Sequence, residues 1–394
     1  MFVILVVVFL IPFILSLFGV NPNNVFKFGL KKPKDFFTLW ISSFGVVGLA
    51  INIIHSQTRI RLQEKQGRDN RFAKSVELLG HESESTRMGG AYNLYFLAKD
   101  FFDEYGSYVS SILSYHIRVI TGTQSYQNKF KDTPSIEIQS MLNILTIDLP
   151  NRDSHIDLMN SYLVGANLEG ANLEKAKLMQ VNLEKACLVG ANLKGANLVE
   201  AKLMQADLRK ACLEGANLEK ACLIGANLMK VDLGGARLKH VNLMGVFLMG
   251  ANLEKAKLMQ VNMEGAYLIE ANLKEAILWE TNSKEASFWR AHLEGAYLVD
   301  VNLEGAYLVD VNLEGANLVG GNFKRTCLAC INLEEAHLKD VHLEEAYCVE
   351  VEKKDIGLEE KSLEERISEI TYSEETDLLE MILSYHEEKE AGNL

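Results

Sequence analysis

The sequence predicts a mainly β solenoid preceded by α-helical segments, and two observations carry this prediction. From Leu158 to Cys348 every fifth residue is Leu or a near substitute, over about 39 consecutive units without an insertion. Ala or Val usually stands two residues before each Leu, and Asn is the commonest residue between them. This triplet points in, out and in, as in a β-strand, whereas a five-residue spacing drifts by roughly 140° per unit on an α-helix.

The repeats also indicate how many units close one coil. The segment ANLEKAKLMQ begins at Ala171 and recurs at Ala251, eighty residues later. This recurrence supports a coil of twenty residues, in which the two residues after each Leu turn a corner. Residues at intervals of twenty then stack into columns on four outer faces.

The Ala-Asn-Leu pattern of residues 156–350 resembles the pentapeptide-repeat family, whose consensus is Ala-Asn/Asp-Leu-x-x. The resemblance covers about half of the chain. It implies a right-handed quadrilateral β-helix with four pentapeptides per coil. Upstream, RFAKSVELLG, TRMGGAYNLYFLA and PSIEIQSMLNIL are similar to the helical region that precedes the repeats in some membrane-associated bacterial members.

Changes in composition divide the chain into four predicted parts. Residues 1–59 hold two transmembrane helices, residues 60–150 form an α-helical adaptor, residues 156–350 form the β-helix, and residues 351–394 form an acidic helical C-terminal cap. The helical 3–4 spacing of the adaptor indicates one helix ending at Gly80, one capped by Ser85, one from Tyr105 to Thr121 and one after Pro134. A solenoid end exposes strand edges, so we expect the adaptor to cover one end.

The two predicted spans are uncharged. They are Met1–Val20, which is interrupted by Pro12, and Phe36–Ile54. No Lys or Arg precedes Lys27 and no Ala-x-Ala site follows the first run, so a cleaved signal peptide is the less favoured interpretation. More basic residues follow the second span than lie between the spans, which favours a bacterial inner-membrane protein with a cytoplasmic repeat domain.

Charge is uneven along the chain, whose total is −13. Residues 156–260 carry +3, residues 261–350 carry −10, and the tail from Val351 carries −9. No basic nucleic-acid footprint covers the protein, so we expect no direct nucleic-acid binding. The tail helices are predicted to cap the solenoid, with homodimerisation through them as the competing interpretation.

The columns of outward residues differ in chemistry. Asn columns such as Asn242–Asn262–Asn282 are interpreted as structural ladders. One face instead predicts an apolar and aromatic partner surface, because Trp, Tyr and Met are enriched at interfaces. The candidate partner surface comprises Phe247, Met249, Tyr267, Ile269, Trp289, Tyr307 and Val309. The opposite face carries Trp279 with Tyr297 beside it, and lateral packing within the solenoid is the alternative for all of these side chains.

The chain holds no pattern typical of catalysis, and we predict no enzymatic activity, no cofactor and no metal site. Cys327 and Cys330 form a CxxC, but no second pair exists, and His337 and His342 belong to other faces. The six cysteines do not show a secreted disulfide framework. His81-Glu82 lacks the second His of a zinc-protease helix, and no phosphate-binding glycine loop appears.

These observations predict a membrane-anchored, non-enzymatic scaffold that binds a protein partner through the outside of the β-helix. The alternative is an acidic DNA-mimicking regulator of a DNA enzyme, as in family members that protect DNA gyrase. The basic first half of the repeats and the expected membrane anchor both disfavour that alternative.

Overall fold

A computed structural model describes residues 33–149 and 156–349, with the side chains of residues 33–44, 46 and 347–349 outside the description. Contact density divides the chain into two compact units, Met1–Arg71 and Phe72–Leu394. Helix α1 spans Pro33–Leu79. It ends immediately before Gly80, where the sequence predicts its end.

The predicted membrane hairpin is not confirmed. Met1–Val20 and the predicted helices after residue 350 lie outside the described residues, as does part of the second span, Phe36–Ile54. Within the described ranges, no helix combines the length and the apolar character that crossing a bilayer requires.

The second unit begins with a helical segment, residues 72–149, whose buried side chains belong to one continuous core with those of the repeats. Its helices are α2 (Glu84–Asp100), α3 (Phe102–Thr121), α4 (Gln124–Lys129) and α5 (Ile136–Asn143), followed by a π turn at Ile144–Asp148. Leu94, Leu113 and Met141, from three of these helices, are fully buried. Helix α2 begins one residue before Ser85, which therefore is not its N-cap, and the sequence did not predict α4.

A buried ion pair fastens these helices to one another. Glu137 on α5 is 2% exposed and accepts hydrogen bonds from Arg87 on α2, both at 2.6 Å, and from His116 on α3 at 3.3 Å. Burial alone would raise the pKa of Glu137, but the hydrogen bonds from Arg87 and His116 outweigh it and lower the pKa. Folding of the helical segment therefore favours the ionised form of the Glu137 carboxylate.

The repeats form a solenoid with a register of twenty residues. Parallel one-residue bridges join each outward residue to its counterpart one coil on, as in Asp157–Lys177 and Asn167–Cys187. Longer pairing occurs only late in the described solenoid, in β1 (Tyr307–Val309), β2 (Cys327–Ala329) and β3 (Tyr347–Val349). Pairing is this short because each face is three residues wide before the chain turns.

Every corner is a β-turn whose third residue has a positive φ. At the corner after Leu163 the Ala166 N–H donates to the Leu163 carbonyl at 3.1 Å, and Gly165 has φ +63°. This is the pattern of a type II turn, which favours Gly at that position. Non-Gly residues such as Lys220 and Glu280 also adopt it, with φ of 60° and 54°.

The interior is filled by the two inward residues of each unit. Ala166, Leu168, Ala171 and Leu173 are at most 1% exposed, and the pattern continues to the last described coil, where Leu333 is 8% exposed and Ala336 and Leu338 are partly buried. The in–out–in prediction for the triplet is thus confirmed.

Irregular core residues compensate for one another in volume. A Cβ on Gly321 would lie 2.7 Å from the ring of Phe323, so the larger Phe occupies the space that Ala fills elsewhere. Ser283 and Phe288 are likewise both fully buried at consecutive Leu positions, with a small residue followed by a large one. The hydroxyl of buried Thr326 donates to the Leu303 carbonyl at 2.7 Å. The residues that depart from the Ala-Leu pattern are therefore packed inside coils of the regular register.

The helical segment supplies the hydrogen-bond partners that the first coil lacks. In later coils the outward residue of each face donates its N–H to the coil before it, as Lys177 does to Ile156 and Asn192 to Ala171. The first coil has no preceding coil, and an unpaired buried N–H is costly. All four of its outward N–H groups instead donate to the helical segment.

Two of these acceptors lie on α3, seven residues apart and so on one helix face. The Ser114 hydroxyl accepts from the Asp157 N–H and the Thr121 hydroxyl from the Tyr162 N–H, both at 3.3 Å. Ser114 and Thr121 are at most 1% exposed. Arg118, between them in sequence, pairs with the Asp157 carboxylate at 3.1 Å.

The other two acceptors come from α5 and the π turn. The Gln139 side chain accepts from the Asn167 N–H at 2.9 Å and donates to the Asn167 carbonyl at 2.7 Å, so its amide imitates a neighbouring strand. The Thr146 carbonyl accepts from the Asn172 N–H at 2.7 Å. Side chains and one turn of backbone thus take the place of a preceding coil on all four faces.

Gly165→Ala should destabilise the contact between the helical segment and the first coil. An added Cβ would overlap the backbone carbonyl oxygen of Asp132 in the helical segment. Gly215 is the matched control, because it has the same conformation (φ +64°) and nothing within 4 Å of an added Cβ. We expect Gly215→Ala to lower the free energy of unfolding by about 1 kcal/mol and Gly165→Ala by clearly more. Equal losses in urea denaturation would contradict the contact.

Acid should loosen the helical segment through Glu137. Its pKa is below that of an unfolded Glu, roughly 4.3, so its stabilising contribution is present above that pH and is lost as the pH falls through the folded pKa. Urea midpoints measured by circular dichroism between about pH 3 and pH 7 should fall in acid, and Glu137→Gln should flatten part of that fall.

The substitution should also cost stability at neutral pH, by about 3 kcal/mol, because it leaves the Arg87 guanidinium without its charged partner. The exposed Glu77 provides the control, since Glu77→Gln should leave the acid dependence unchanged. An unaltered pH profile in Glu137→Gln would contradict the role of this carboxylate.

Candidate interaction surfaces

The solenoid presents four outer faces, numbered here in chain order by their first central residue: face 1 at Leu158, face 2 at Leu163, face 3 at Leu168 and face 4 at Leu173. Each face repeats every twenty residues. Face 1 is opposite face 3, and face 2 is opposite face 4, because the four succeed one another around each coil. The side chains on these faces decide what the protein offers to a partner.

Faces 2 and 4 are occupied largely by Asn ladders. On face 2, Asn282, Asn302 and Asn322 each donate to the Asn one coil before at 3.0–3.1 Å. The side-chain amide oxygen of Asn262 also accepts from the Glu264 N–H at 3.2 Å. These amides are used within the solenoid, which confirms their predicted structural role.

Face 3 carries the predicted partner surface, and the structure shows that part of it is not exposed. Ile269 and Trp289 are 1% and 6% exposed, and Met249 and Val309 pack against them as partly buried neighbours. The expectation that this strip lies open is therefore wrong for Ile269 and Trp289. They form a packed ridge on the outside of the coils.

The rest of the strip is also engaged. The rings of Phe247 and Tyr267 stack with centroids 5.3 Å apart and planes inclined by 9°, which leaves Phe247 39% exposed. Tyr307 is half-buried, and Ser287, between Tyr267 and Tyr307 in the column, is 3% exposed. Large side chains on successive coils lie only about 4.8 Å apart, so they cover one another.

The side chain of Arg290 covers the solvent side of Trp289 in this ridge. The Arg290 guanidinium lies 4.5 Å from the centre of the Trp289 ring and pairs with Asp310 at 2.9 Å. A cation over an aromatic face is attracted by the ring and excludes water from it. The packing alternative raised by the sequence therefore accounts for Trp289.

Face 1 is different, because its aromatic residues remain in the solvent. Trp279 is 44% exposed and Tyr297 is 53% exposed. They belong to successive coils, since Ile277 pairs with Tyr297 and Trp279 follows Ile277 on the same side of the strand. The sequence placed both residues in the opposing column, but only the structure separates the packed face from the open one.

One group of residues has the donor types of a metal site. The ligand atoms of Cys212, Glu214 and Asp232 on face 4 all lie within 4.8 Å of one another. Glu214 pairs with Lys194 at 2.6 Å, and Asp232 accepts from the Gly234 N–H at 3.0 Å and from Asn252 at 2.8 Å. Their carboxylates thus already serve the ladder of this face, and we assign the group a structural role.

Cys327 is half-buried and Cys330 is exposed. Cys327 lies on face 3 and Cys330 at the following corner, while His337 and His342 lie on faces 1 and 2. The structure therefore does not bring these four residues of the CxxC region onto one face.

A family model described as pentapeptide repeats (8 copies) matches residues 156–195, 186–225, 226–265, 266–305 and 286–325. Among solved structures, HetL, a pentapeptide repeat protein involved in heterocyst differentiation regulation from the cyanobacterium Nostoc sp. strain PCC 7120, is 33% identical, with a TM-score of 0.39. That match covers 49% of this chain and 89% of HetL. No curated protein sequence matches the chain.

Two further solved structures are similar. A pentapeptide repeat protein from the thylakoid lumen of Arabidopsis thaliana is 29% identical over 30% of this chain and 68% of its own, with a TM-score of 0.17. QnrB1, a plasmid-mediated fluoroquinolone resistance protein, is 16% identical over 45% of this chain and 88% of its own, with a TM-score of 0.28.

The chain belongs to the pentapeptide-repeat family. Proteins of this family form right-handed quadrilateral β-helices and are generally non-enzymatic structural or interaction proteins. The twenty-residue register and the four corners per coil described above are those of such a β-helix.

The two tryptophans of one coil should differ in how much stability is lost when each is replaced by a charged residue. Trp289→Glu buries a carboxylate in the ridge on face 3, and we expect it to lower the free energy of unfolding by about 4 kcal/mol. Trp279→Glu in the open face should change it by about 0.5 kcal/mol or less. Urea denaturation followed by circular dichroism measures both, and equal effects would show that the two faces are equally open.

Proposed function

We propose that this protein is a non-enzymatic scaffold that binds a protein partner through the outer faces of its β-helix. The observation that carries the proposal is the filled interior: up to Leu318 the inward Ala and Leu side chains are at 0–2% exposure, which leaves the outside as the surface on which the described coils meet other molecules. Exposed aromatic side chains on that outside support a protein partner, because Trp and Tyr are enriched at protein interfaces.

We further propose that the N-terminal part attaches the scaffold to a membrane, with the repeats in the cytoplasm. Along α1 the apolar side chains of Val47, Leu49, Ile51, Ile53 and Ile54 are 40–62% exposed. At 100° per residue these positions spread over about 200° of the helix circumference, which suits an apolar medium better than a narrow groove on one side. The uncharged run begins at Phe36, before the first described side chain.

Basic residues follow that apolar run directly. Arg59, Arg61, Lys65, Arg68 and Arg71 lie on the next turns of α1. Such a flank supports placement on the cytoplasmic side of a bilayer. The C-terminal tail, proposed to cap the β-helix or to form a homodimer, lies outside the described residues.

The DNA-mimicking alternative rests on the net charge of −10 in residues 261–350. In the described coils basic residues interrupt the acidic columns of this region, as Lys274 does beside Glu294 at 3.2 Å and Arg290 beside Asp310 at 2.9 Å. A surface that imitates a phosphate backbone needs a regular run of unmatched charges. The scaffold is therefore the function that the surface supports better.

Site-specific photo-crosslinking in cells tests the scaffold function face by face. A photoreactive residue is placed at Lys257 on face 1, Met244 on face 2, Phe247 on face 3 and Lys274 on face 4, all exposed positions. We expect one defined protein adduct from one face, or from two adjacent faces, in the membrane fraction. The same adduct from all four faces would indicate random collision, and no adduct from any face would contradict a scaffold.

A further inference from the structure

The two most exposed aromatic side chains of the described β-helix lie together on one face. Trp279 and Tyr297 are 44% and 53% exposed, and Phe247, the other exposed aromatic residue among the described coils, is covered on one side by its stack with Tyr267. Ile277 and Val299 are half-buried beside them. Facing residues on successive coils are about 4.8 Å apart, and alternate residues of one strand about 6.6 Å, so the four side chains form one apolar patch.

Two carboxylates border this patch. Glu280 follows Trp279, and Asp300 follows Val299, so they occupy the same corner column in successive coils, both exposed and both with φ 54°. Glu280 accepts a hydrogen bond from Gln260 at 2.7 Å. Neither carboxylate has an ion-pair partner within 4.0 Å among the described residues, so two like charges remain beside the aromatic rings.

The same architecture recurs four coils earlier without the patch. There, the Gln180 amide donates to Glu200 at 2.7 Å, as Gln260 does to Glu280. The positions of Trp279 and Tyr297 are held by Val199 and Asn217. Lys220 pairs with Glu200 at 3.7 Å. The aromatic rings and the unmatched charges thus occur in only one stretch of face 1 among the described coils and are not a general feature of the repeat.

We propose that this patch, Ile277, Trp279, Tyr297 and Val299 with Glu280 and Asp300 at its border, binds a basic segment of a partner protein in which Arg and apolar residues alternate. The guanidinium group of Arg stacks on exposed aromatic rings and pairs with carboxylates at their border. The apolar residues of the segment cover Ile277 and Val299. The acidic tail of the chain itself does not fit, because its charge of −9 has the same sign as the border.

This assignment rests on the proposed scaffold function and specifies its partner. The probe is a short fluorescein-labelled peptide in which Arg and Leu alternate, titrated with the purified full-length chain and read by fluorescence anisotropy. Peptides with Glu in place of Arg, or Ser in place of Leu, are the probe controls. We expect the Arg–Leu peptide to bind and both controls to bind at least tenfold more weakly.

Variants locate the binding. The double variant Trp279→Ser, Tyr297→Ser should weaken binding at least tenfold, and Glu280→Gln with Asp300→Asn should weaken it severalfold and reduce its salt dependence. Glu200→Gln is the matched control and should leave binding unchanged, as should Met244→Ser on face 2. Circular dichroism and urea midpoints verify that each variant is folded.

Several results would overturn the assignment. These are undiminished binding by the aromatic double variant, equal binding of the Glu peptide, or equal loss in Glu200→Gln. Sedimentation showing that the aromatic residues hold two copies of this chain together would also overturn it, since the occupant would be a second copy. A crosslinked adduct that persists in the double variant would reject this patch but keep the scaffold function, whereas the absence of adducts on all faces would reject the scaffold function itself.

Discussion

The structure depends on one constraint, which is that a parallel hydrogen-bond ladder needs a partner at its first rung. Each coil donates the N–H groups of its four outward residues to the coil before it, and the first coil has none before it. Ser114, Thr121, Gln139 and the Thr146 carbonyl supply the four acceptors. The helical segment is thus the template on which the β-helix begins, and the buried Glu137 pairs keep its three main helices in the arrangement that aims those acceptors.

The same hydrogen-bond ladder between coils leaves the outer faces of the β-helix as the surfaces that can bind a partner. Because successive coils repeat every twenty residues, the inward Ala and Leu fill the coil and the outward residues stack in columns. The side chains of a column can pack or hydrogen-bond to one another, as in the Asn ladder and in the ridge around Trp289. They can also stay exposed to solvent, as Trp279 and Tyr297 do. Faces that look alike in sequence therefore differ in what they can bind.

The period of five and the recurrence of ANLEKAKLMQ were enough to predict the solenoid, its twenty-residue coil and its inward residues, because these follow from local spacing. The exposure of Trp289 and Trp279 could not be predicted in the same way. Both follow an inward residue on opposite faces of one coil, and their difference comes from neighbours twenty residues away, with Ile269 and Val309 large enough to enclose Trp289. The capping role of Ser114 and Gln139 gave no sequence signal either, since a buried hydroxyl and an amide on a helix resemble many others.

Amide hydrogen exchange of the first coil tests the central claim most directly. The N–H groups of Asp157, Tyr162, Asn167 and Asn172 are each bonded to the helical segment and not to another coil. If the segment acts as the preceding coil, these amides exchange as slowly as those of Lys177 and Asn192 in the next coil. Rapid exchange confined to the first four amides, with the later coils protected, would show that the β-helix begins without its helical template.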